Sequence, residues 1–319
     1  MEKATEKWSG KVNEVTIGAT PQGGGTRKRI VKIGGESTLP FLHFESKIAN
    51  SPLVAMEVWD MEPPNWPEVL KSEFKSCINN PSIWAKEAVE KWGADLICLR
   101  LSSTHPDAKD TSADDAARTV EKVLKATDIP LIIIGGSSPA KDGEILLKVA
   151  EVSKGENCLM GIAVQENYKT IALSCISGGH TIIAESPIDI NLAKQLNILI
   201  SDIGFPPEKI VIHHATGSLG YGMEYTYSII ERTRLAALGG DRMLSQPMIS
   251  FVGQETWRTK EAKVGEHDAP SWGKQKERAI LWEAATATAF LNAGADILVM
   301  NHPRAVKLVK ETISELMNT

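Results

Sequence analysis

Eight short apolar runs divide this sequence at fairly regular intervals, and amphipathic stretches of helical period lie between them. The runs occupy residues 53–59, 95–101, 130–135, 158–164, 181–185, 210–214, 247–252 and 296–301. Each is rich in branched side chains and apolar throughout, as is typical of parallel strands covered on both faces. The amphipathic stretches occupy residues 114–127, 142–152, 190–203 (with Asp189 placed as its N-cap), 223–238, 277–292 and 305–317.

Eight strand–helix units predict an α/β fold of the (β/α)₈ or TIM barrel type. A doubly wound open sheet is the alternative, but it would usually show a glycine-rich phosphate turn after the first strand. The first strand here instead runs into Trp59-Asp60-Met61-Glu62-Pro63-Pro64. The prolines favour a stiff loop that continues to about Trp84. We therefore assign residues 51–319 to one barrel domain.

Residues 1–50 precede the barrel and carry a different pattern. Residues 11–18 and 29–34 alternate apolar and polar side chains, and Gly23-Gly24-Gly25 lies between them. This arrangement predicts a β-hairpin extension with a glycine-rich tip. We favour a hairpin that plugs the bottom of the barrel over one that reaches to a partner.

Charge and cysteine usage exclude several classes of protein. The chain has 35 basic and 40 acidic residues, a net charge of −5, which argues against nucleic acid as the main partner. No apolar run is long enough to span a membrane, and no secretory signal follows the charged start, so we expect a cytoplasmic protein. The four cysteines (Cys77, Cys98, Cys158 and Cys175) are scattered, as expected of buried apolar residues rather than metal ligands.

Working residues of such barrels lie on the loops that follow the strands. Polar side chains are frequent there: Glu57, Asp60, Ser102–His105, Gly135–Ser138, Gln165–Asn167, Glu185, His213, His214, Thr216, Gln254, Glu255, Asn301 and His302. The histidines and glutamates among them suggest a zinc hydrolase, although the paired ligands common on the first strand of such barrels are missing. His213 and His214 would also point to opposite sides of their strand.

Three further loop features admit a functional interpretation. The Gly135-Gly136-Ser137-Ser138 turn could hold a phosphate on its backbone amides, although such turns are more often simple strand exits. His213–Gly217 keeps the His-x-x-Gly part of a cobalt-ligating motif, but Ile212 stands where that motif has aspartate. The long loop at residues 253–275 holds Trp257 and Trp272, which favours an ordered contact surface.

One stretch of the sequence resembles a known family. Gly34-Gly35-Glu36-Ser37-Thr38-Leu39-Pro40-Phe41, Phe44-Glu45, Pro52 and Met56-Glu57-Val58-Trp59-Asp60 are similar to the small (delta) subunit of the corrinoid iron–sulfur protein. That protein serves the carbon monoxide dehydrogenase/acetyl-CoA synthase (Wood–Ljungdahl) system of anaerobes. The resemblance continues through residues 93–95, 130–136, 213–214, 246–248 and 283–284, and so covers most of the chain.

The resemblance implies a barrel subunit of a heterodimeric methyl carrier. The large subunit would hold the 4Fe–4S cluster and most contacts to the cobamide, and this chain would cover the cobamide with its barrel top. The heterodimer would take a methyl group from methyltetrahydrofolate through a separate methyltransferase and deliver it to acetyl-CoA synthase. The chain itself would carry neither a catalytic set nor a metal.

Strand-end position alone selects the candidate cobamide contacts. They are Thr104, His105, Gly136, His213, His214, Asn301 and His302. The main alternative is a pterin-dependent (methyltetrahydrofolate) methyltransferase of the dihydropteroate-synthase-like barrel group, and a metal-dependent hydrolase is a third. Those pterin barrels grip the ring with Asp and Asn at strand ends, whereas here the second strand carries Arg100 and the third is rich in isoleucine.

Overall fold

The computed structural model describes residues 5–318, apart from the side chain of Ser218. Residues 1–4 and Thr319, which the predicted domains include, lie outside this range. A two-stranded antiparallel hairpin precedes a closed barrel of parallel strands in the order β10-β3-β4-β5-β6-β7-β8-β9. The strands are β1 Glu14–Ile17, β2 Val31–Gly34, β3 Leu53–Trp59, β4 Leu96–Arg100, β5 Leu131–Ile134, β6 Leu159–Ala163, β7 Thr181–Ser186, β8 Ile210–His214, β9 Met248–Ser250 and β10 Ile297–Met300. The predicted TIM barrel and hairpin are confirmed.

Helices cover the outside of the barrel. They are α1 Glu68–Lys71, α2 Pro81–Glu90, α3 Ala113–Ala126, α4 Pro139–Val152, α5 Tyr168–Gly178, α6 Ile190–Asp202, α7 Met223–Leu238, α8 Val252–Thr256, α9 Lys260–Lys263, α10 Gln275–Ala293 and α11 Pro303–Met317. Asp189 caps α6 as predicted, because its Oδ1 accepts from the amides of Asn191 (2.7 Å) and Leu192 (3.1 Å). A cap of this kind stabilises a helix by about 1 kcal/mol. No helix within residues 5–318 is long and apolar enough to cross a membrane.

Two predicted loops are shorter than the sequence suggested. The predicted loop after β3 ends at Pro81, where α2 begins. Trp84 lies in that helix, is fully buried, and packs edge-on against Trp66 with ring centroids 5.7 Å apart. The stretch at residues 253–275 is not an extended loop, since most of α8 and all of α9 lie in it. Arg278 on α10 holds that stretch in place by donating to the carbonyls of Glu261 (2.6 Å) and Gly273 (3.1 Å).

The hairpin closes the N-terminal end of the barrel. Val15, Ile17 and Ile33 are buried in the same apolar cluster as the inward-facing strand residues. Asn157, just before β6, donates to the carbonyl of Thr16 (2.8 Å). The buried Arg27 pairs with Glu156 (2.9 Å) near the start of the same strand. The hairpin is therefore the bottom plug favoured above. The opposite end of the barrel, its mouth, is formed by the loops that follow the strands.

The stretch after β2 that resembles the family ties the N-terminal extension to the barrel through a buried ion pair. Glu36 is buried and accepts from Arg234 on α7 (3.0 Å), which also reaches Asp296 at the start of β10 (3.0 Å). Removing one partner of such a buried network costs about 3–5 kcal/mol, because a charge is then left unpaired. The Gly-Gly-Glu motif thus ties the extension to the barrel on the side away from the mouth.

Candidate functional site

A cavity of about 270 Å³ lies at the C-terminal mouth of the barrel. Residues at the ends of β4 to β9 line it, and its polar side chains are Arg100, Ser137, Asp142, Asn167, Glu185, His213, Thr216, Gln254 and Glu255. A larger, open groove of about 710 Å³ lies beside the hairpin, near Arg27 and Asp128. Because it opens near the N-terminal ends of the strands, we place the functional site at the mouth instead.

A buried ion pair forms the floor of this mouth. Arg100 donates from Nε to Glu57 Oε1 (2.6 Å) and from an Nη group to Gln254, and the guanidinium lies 5.5 Å from the Trp59 ring. The side chains of Arg100 and Glu57 are only 5% and 0% exposed. The second carboxylate oxygen of Glu57 has no partner among the described residues. The pair is thus fixed, but its hydrogen-bonding capacity is not exhausted.

His213 faces the cavity beside a carboxylate. Its Nδ1 lies 3.1 Å from the carbonyl oxygen of Ile249, which fixes Nδ1 as the protonated nitrogen. Its Nε2 lies 3.3 Å from Glu185 Oε2. Burial lowers the pKa of His213, and the nearby carboxylate of Glu185 opposes that shift. Each ring nitrogen of His213 thus lies beside a hydrogen-bond acceptor.

His214 points the other way, as expected for the next residue along a strand. Its Nε2 lies 2.8 Å from Thr233 Oγ1 on α7, and its Nδ1 lies 3.4 Å from Ser186 Oγ. Burial lowers its pKa to about 3. The structure therefore places His214 between β8 and α7, outside the cavity.

Asn301 and His302 follow β10 and lie beneath the α8 segment. The carboxylate of Glu283 accepts from the amide of Asn301, from the amide of His302 (3.1 Å) and from Trp257 Nε1 (2.8 Å). Burial raises the pKa of Glu283 to about 7. The Asn301 side chain packs under Gly253, where a Cβ would lie 2.6 Å from its Cγ, and both of its polar atoms lack a partner among the described residues.

The turn after β5 is filled by a carboxylate of the chain itself. Asp142 on α4 accepts from the amides of Gly136 (2.8 Å) and Ser137 (3.1 Å). A Cβ on Gly136 would lie 2.8 Å from Thr104 Oγ1, so the glycine permits close approach of the neighbouring loop. The phosphate interpretation of this turn is therefore wrong, because Asp142 occupies the amides that an anion would need.

Of the seven predicted contacts, one, His213, lines the cavity. Gly136 does not line it, but the next residue, Ser137, does. Thr104 is buried and donates to the carbonyl of Leu101 (2.7 Å), and His105 Nδ1 accepts from the amide of Asp107 (3.1 Å). Asn301, His302 and His214 lie outside the cavity lining, so their proposed contacts stay predictions. The inward Arg100 was not among the seven, although a charge inside an otherwise apolar barrel strand was visible in the sequence.

The four rim histidines do not converge. His214 is engaged by Thr233, and His302 Nδ1 accepts from the amide of Arg304 (3.1 Å) as it caps α11. Within residues 5–318, no group of three or more His, Cys, Asp or Glu is arranged to hold a metal ion. The four cysteines are buried, as expected, and burial raises the thiol pKa of Cys77 to about 11.

Solved structures share the fold at low sequence identity. A dihydropteroate synthase from Xanthomonas albilineans superposes with a TM-score of 0.56, 11% identity, and coverage of 84% of this chain and 93% of that one. The enzyme from Thermus thermophilus gives 0.55 and 13%, with 94% and 98% covered. These likenesses confirm the fold alone.

Sequence relatives are much closer. The delta 2 subunit of the acetyl-CoA decarbonylase/synthase complex of Methanosarcina acetivorans is 37% identical over 97% of this chain and 72% of its own length. The delta subunit from Archaeoglobus fulgidus is 36% identical over 99% and 71%. The profile of one family, described as "CO dehydrogenase/acetyl-CoA synthase delta subunit", matches residues 14–313. The chain therefore belongs to the CO dehydrogenase/acetyl-CoA synthase delta subunit family.

Proposed function

We propose that this chain is the small subunit of a heterodimeric corrinoid methyl carrier and covers a cobamide bound mainly by a large iron–sulfur subunit. The partners would be that large subunit, a methyltetrahydrofolate:corrinoid methyltransferase and acetyl-CoA synthase. Family membership carries this proposal, since the matched relatives are named as delta subunits of an acetyl-CoA decarbonylase/synthase complex.

The shape of the mouth suits a cover rather than a container. Its cavity of about 270 Å³ is smaller than the roughly 300–1,000 Å³ of pockets that enclose a drug-sized ligand. A corrin ring is larger than this cavity. The barrel can therefore hold only part of the edge of the ring, or cover one of its faces. A small, polar cavity at the centre of a rigid barrel rim is consistent with that role.

The hydrogen-bonding groups near the mouth also suit a cobamide, whose ring carries amide groups along its edge. Buried polar atoms usually find a partner, and an orphaned one costs about 1–3 kcal/mol. The second oxygen of Glu57 and both amide atoms of Asn301 lack partners within residues 5–318. Glu57 is buried in the floor of the mouth, and His213 and Gln254 line the cavity above this floor, so hydrogen-bonding groups surround the space that the edge of the cofactor would enter.

When bound, the cobamide supplies the cobalt that carries the methyl group. The residues of this chain bind and orient its edge and exclude water from one face. Burial lowers the pKa of His213 and lowers that of His302 to about 4.

Co-purification tests the proposal. The tagged chain, isolated anaerobically from its native cells, should bring down a larger protein that contains cobalt and iron. Isolation without such a partner would contradict the carrier role. Calorimetry with methyltetrahydrofolate and the isolated chain tests the alternative, because a pterin-dependent methyltransferase would bind it without the partner and a cover subunit would not.

A further inference from the structure

A buried cluster of two carboxylates and one guanidinium holds the N-terminal extension against the barrel. Glu36 comes from the extension, Arg234 from α7 and Asp296 from the residue before β10. One Nη group of Arg234 donates to Glu36 (3.0 Å), and the other donates to both oxygens of Asp296 (3.1 and 3.0 Å). The side chains of Arg234, Glu36 and Asp296 are only 4%, 9% and 6% exposed. If both carboxylates were ionised, the cluster would bury one unbalanced negative charge, which is costly.

No neighbouring group offsets that charge. Within residues 5–318, no other Lys, Arg or His lies within salt-bridge distance of either carboxylate. The other residues that line the cavity of about 20 Å³ beside the cluster, from the extension, α10 and the segment before β10, are uncharged. Helix α10 ends at Ala293, and Arg234 donates to the carbonyl of Gly294 just beyond it. The negative end of the helix dipole therefore lies near the cluster and makes a second carboxylate less favourable.

The hydrogen-bond donors indicate which carboxylate keeps its charge. Asp296 accepts from Arg234 and also from the amide of Met248 (2.7 Å), whereas Glu36 accepts from one Nη group of Arg234. Because hydrogen bonds from donors favour the ionised form of a carboxylate, the proton belongs on Glu36. Burial raises the pKa of both carboxyls, and the charge of Asp296 raises that of Glu36 further, to about 7.

We propose that this cluster is a proton-linked clasp: with a proton on Glu36 it is neutral and holds the open end of the hairpin on the barrel, and loss of that proton loosens this end. Nearby, the amide of Asn13 donates to the carbonyl of Ser245 (2.6 Å). The other side of the hairpin is tied by Arg27 and Glu156, one guanidinium for one carboxylate. The plug is therefore held by one tie that responds to pH near neutrality and by one that is balanced in charge.

The direction of the response follows from the proton count. In the opened form Glu36 faces water, and its pKa returns to the ordinary value of 4.5. Between this value and about 7 the closed form holds one proton more than the opened form, so opening becomes about tenfold more favourable for each pH unit. Below this window both forms are protonated and above it both are ionised, so the dependence levels off on either side.

Amide hydrogen exchange of the full chain, read at Val12 and Asn13 and corrected for the intrinsic pH dependence of exchange, measures this opening. Protection should fall about tenfold per pH unit between about pH 5 and pH 6.5 and level off above about pH 7. Glu36→Gln and Asp296→Asn each balance the charges of the cluster, so each should remove this dependence. Glu156→Gln is the matched control, because it neutralises the carboxylate of the other tie and should leave the dependence at Val12 and Asn13 unchanged.

The readout is local, which separates the clasp from other titrating groups. Glu283 also keeps its proton up to about pH 7, but it lies toward the mouth and this opening does not expose it. Equal protection of the wild-type chain at pH 5 and pH 7 would refute the clasp, as would a dependence that survives both Glu36→Gln and Asp296→Asn. Protection that rises with sodium concentration at constant ionic strength and ignores pH would also overturn it, because a bound cation would then balance the charge.

Discussion

Arg100→Met should destabilise the barrel strongly, because it leaves Glu57 as an unpaired buried charge. The guanidinium lies 2.6 Å from Glu57, bonds Gln254 and lies 5.5 Å from the ring of Trp59. Glu57 is fully buried, so water cannot replace the lost partner. Breaking such a pair costs about 3–5 kcal/mol, a large part of the roughly 5–15 kcal/mol that keeps a protein folded.

Urea unfolding of the isolated chain, followed by circular dichroism, measures this loss. At a slope of about 1–3 kcal/mol per molar urea, the midpoint should fall by at least about 1 M. The double variant Glu57→Met/Arg100→Met should recover most of the loss, since it removes both charges from the core. A cost below about 1 kcal/mol for Arg100→Met, or a double variant as costly as the two single changes together, would refute the buried-pair reasoning.

Four further outcomes follow from the geometry. In the reconstituted heterodimer, His213→Ala and Asn301→Ala should lower cobamide retention and the methylation rate; unchanged values would show that the strand ends do not contact the cofactor. His214→Ala should cost about 1–3 kcal/mol in urea unfolding, because it removes a buried imidazole and its hydrogen bond to Thr233, whose hydroxyl keeps only its bond to the carbonyl of Ile229. Folded Glu283 keeps its proton up to about pH 7, against an ordinary value of 4.5, so its contribution to stability falls by about 3 kcal/mol as the pH rises through that window. Glu283→Gln should remove that slope, measured as the difference in urea midpoint between pH 5 and pH 7.5, and an unaltered slope would contradict the assignment. Gly136→Ala should lower the melting temperature by the equivalent of about 1–3 kcal/mol, and a neutral effect would mean that the neighbouring loop yields freely.

The barrel was predictable from sequence because its strands are buried on both faces. The run at residues 53–59 matches β3 and the stretch at residues 223–238 matches α7. Helix α5 was missed, although its amphipathic pattern is no weaker than that of α10; it has 11 residues against the 19 of α10 and so offers fewer turns in which a period can be recognised. The α8 and α9 segments depend on distant contacts, such as those from Arg278, which no local pattern reveals.

The site was predictable in its position but not in its pattern of contacts. The strand-end rule located Glu185, His213 and Gln254 at the mouth. Alternation along β8 showed that His213 and His214 diverge, but not which of them faces inward. That choice depends on barrel closure, which also turns Arg100 toward Glu57 across neighbouring strands.

The rate of cobamide release tests the central claim most directly. The large subunit would be loaded with cobamide, and its loss to an excess of apo-acceptor followed anaerobically with and without this chain. A cover subunit should slow release by about tenfold or more, which corresponds to about 1.4 kcal/mol of added binding. Equal rates with and without the chain, under conditions in which the two subunits are shown to associate, would contradict the account.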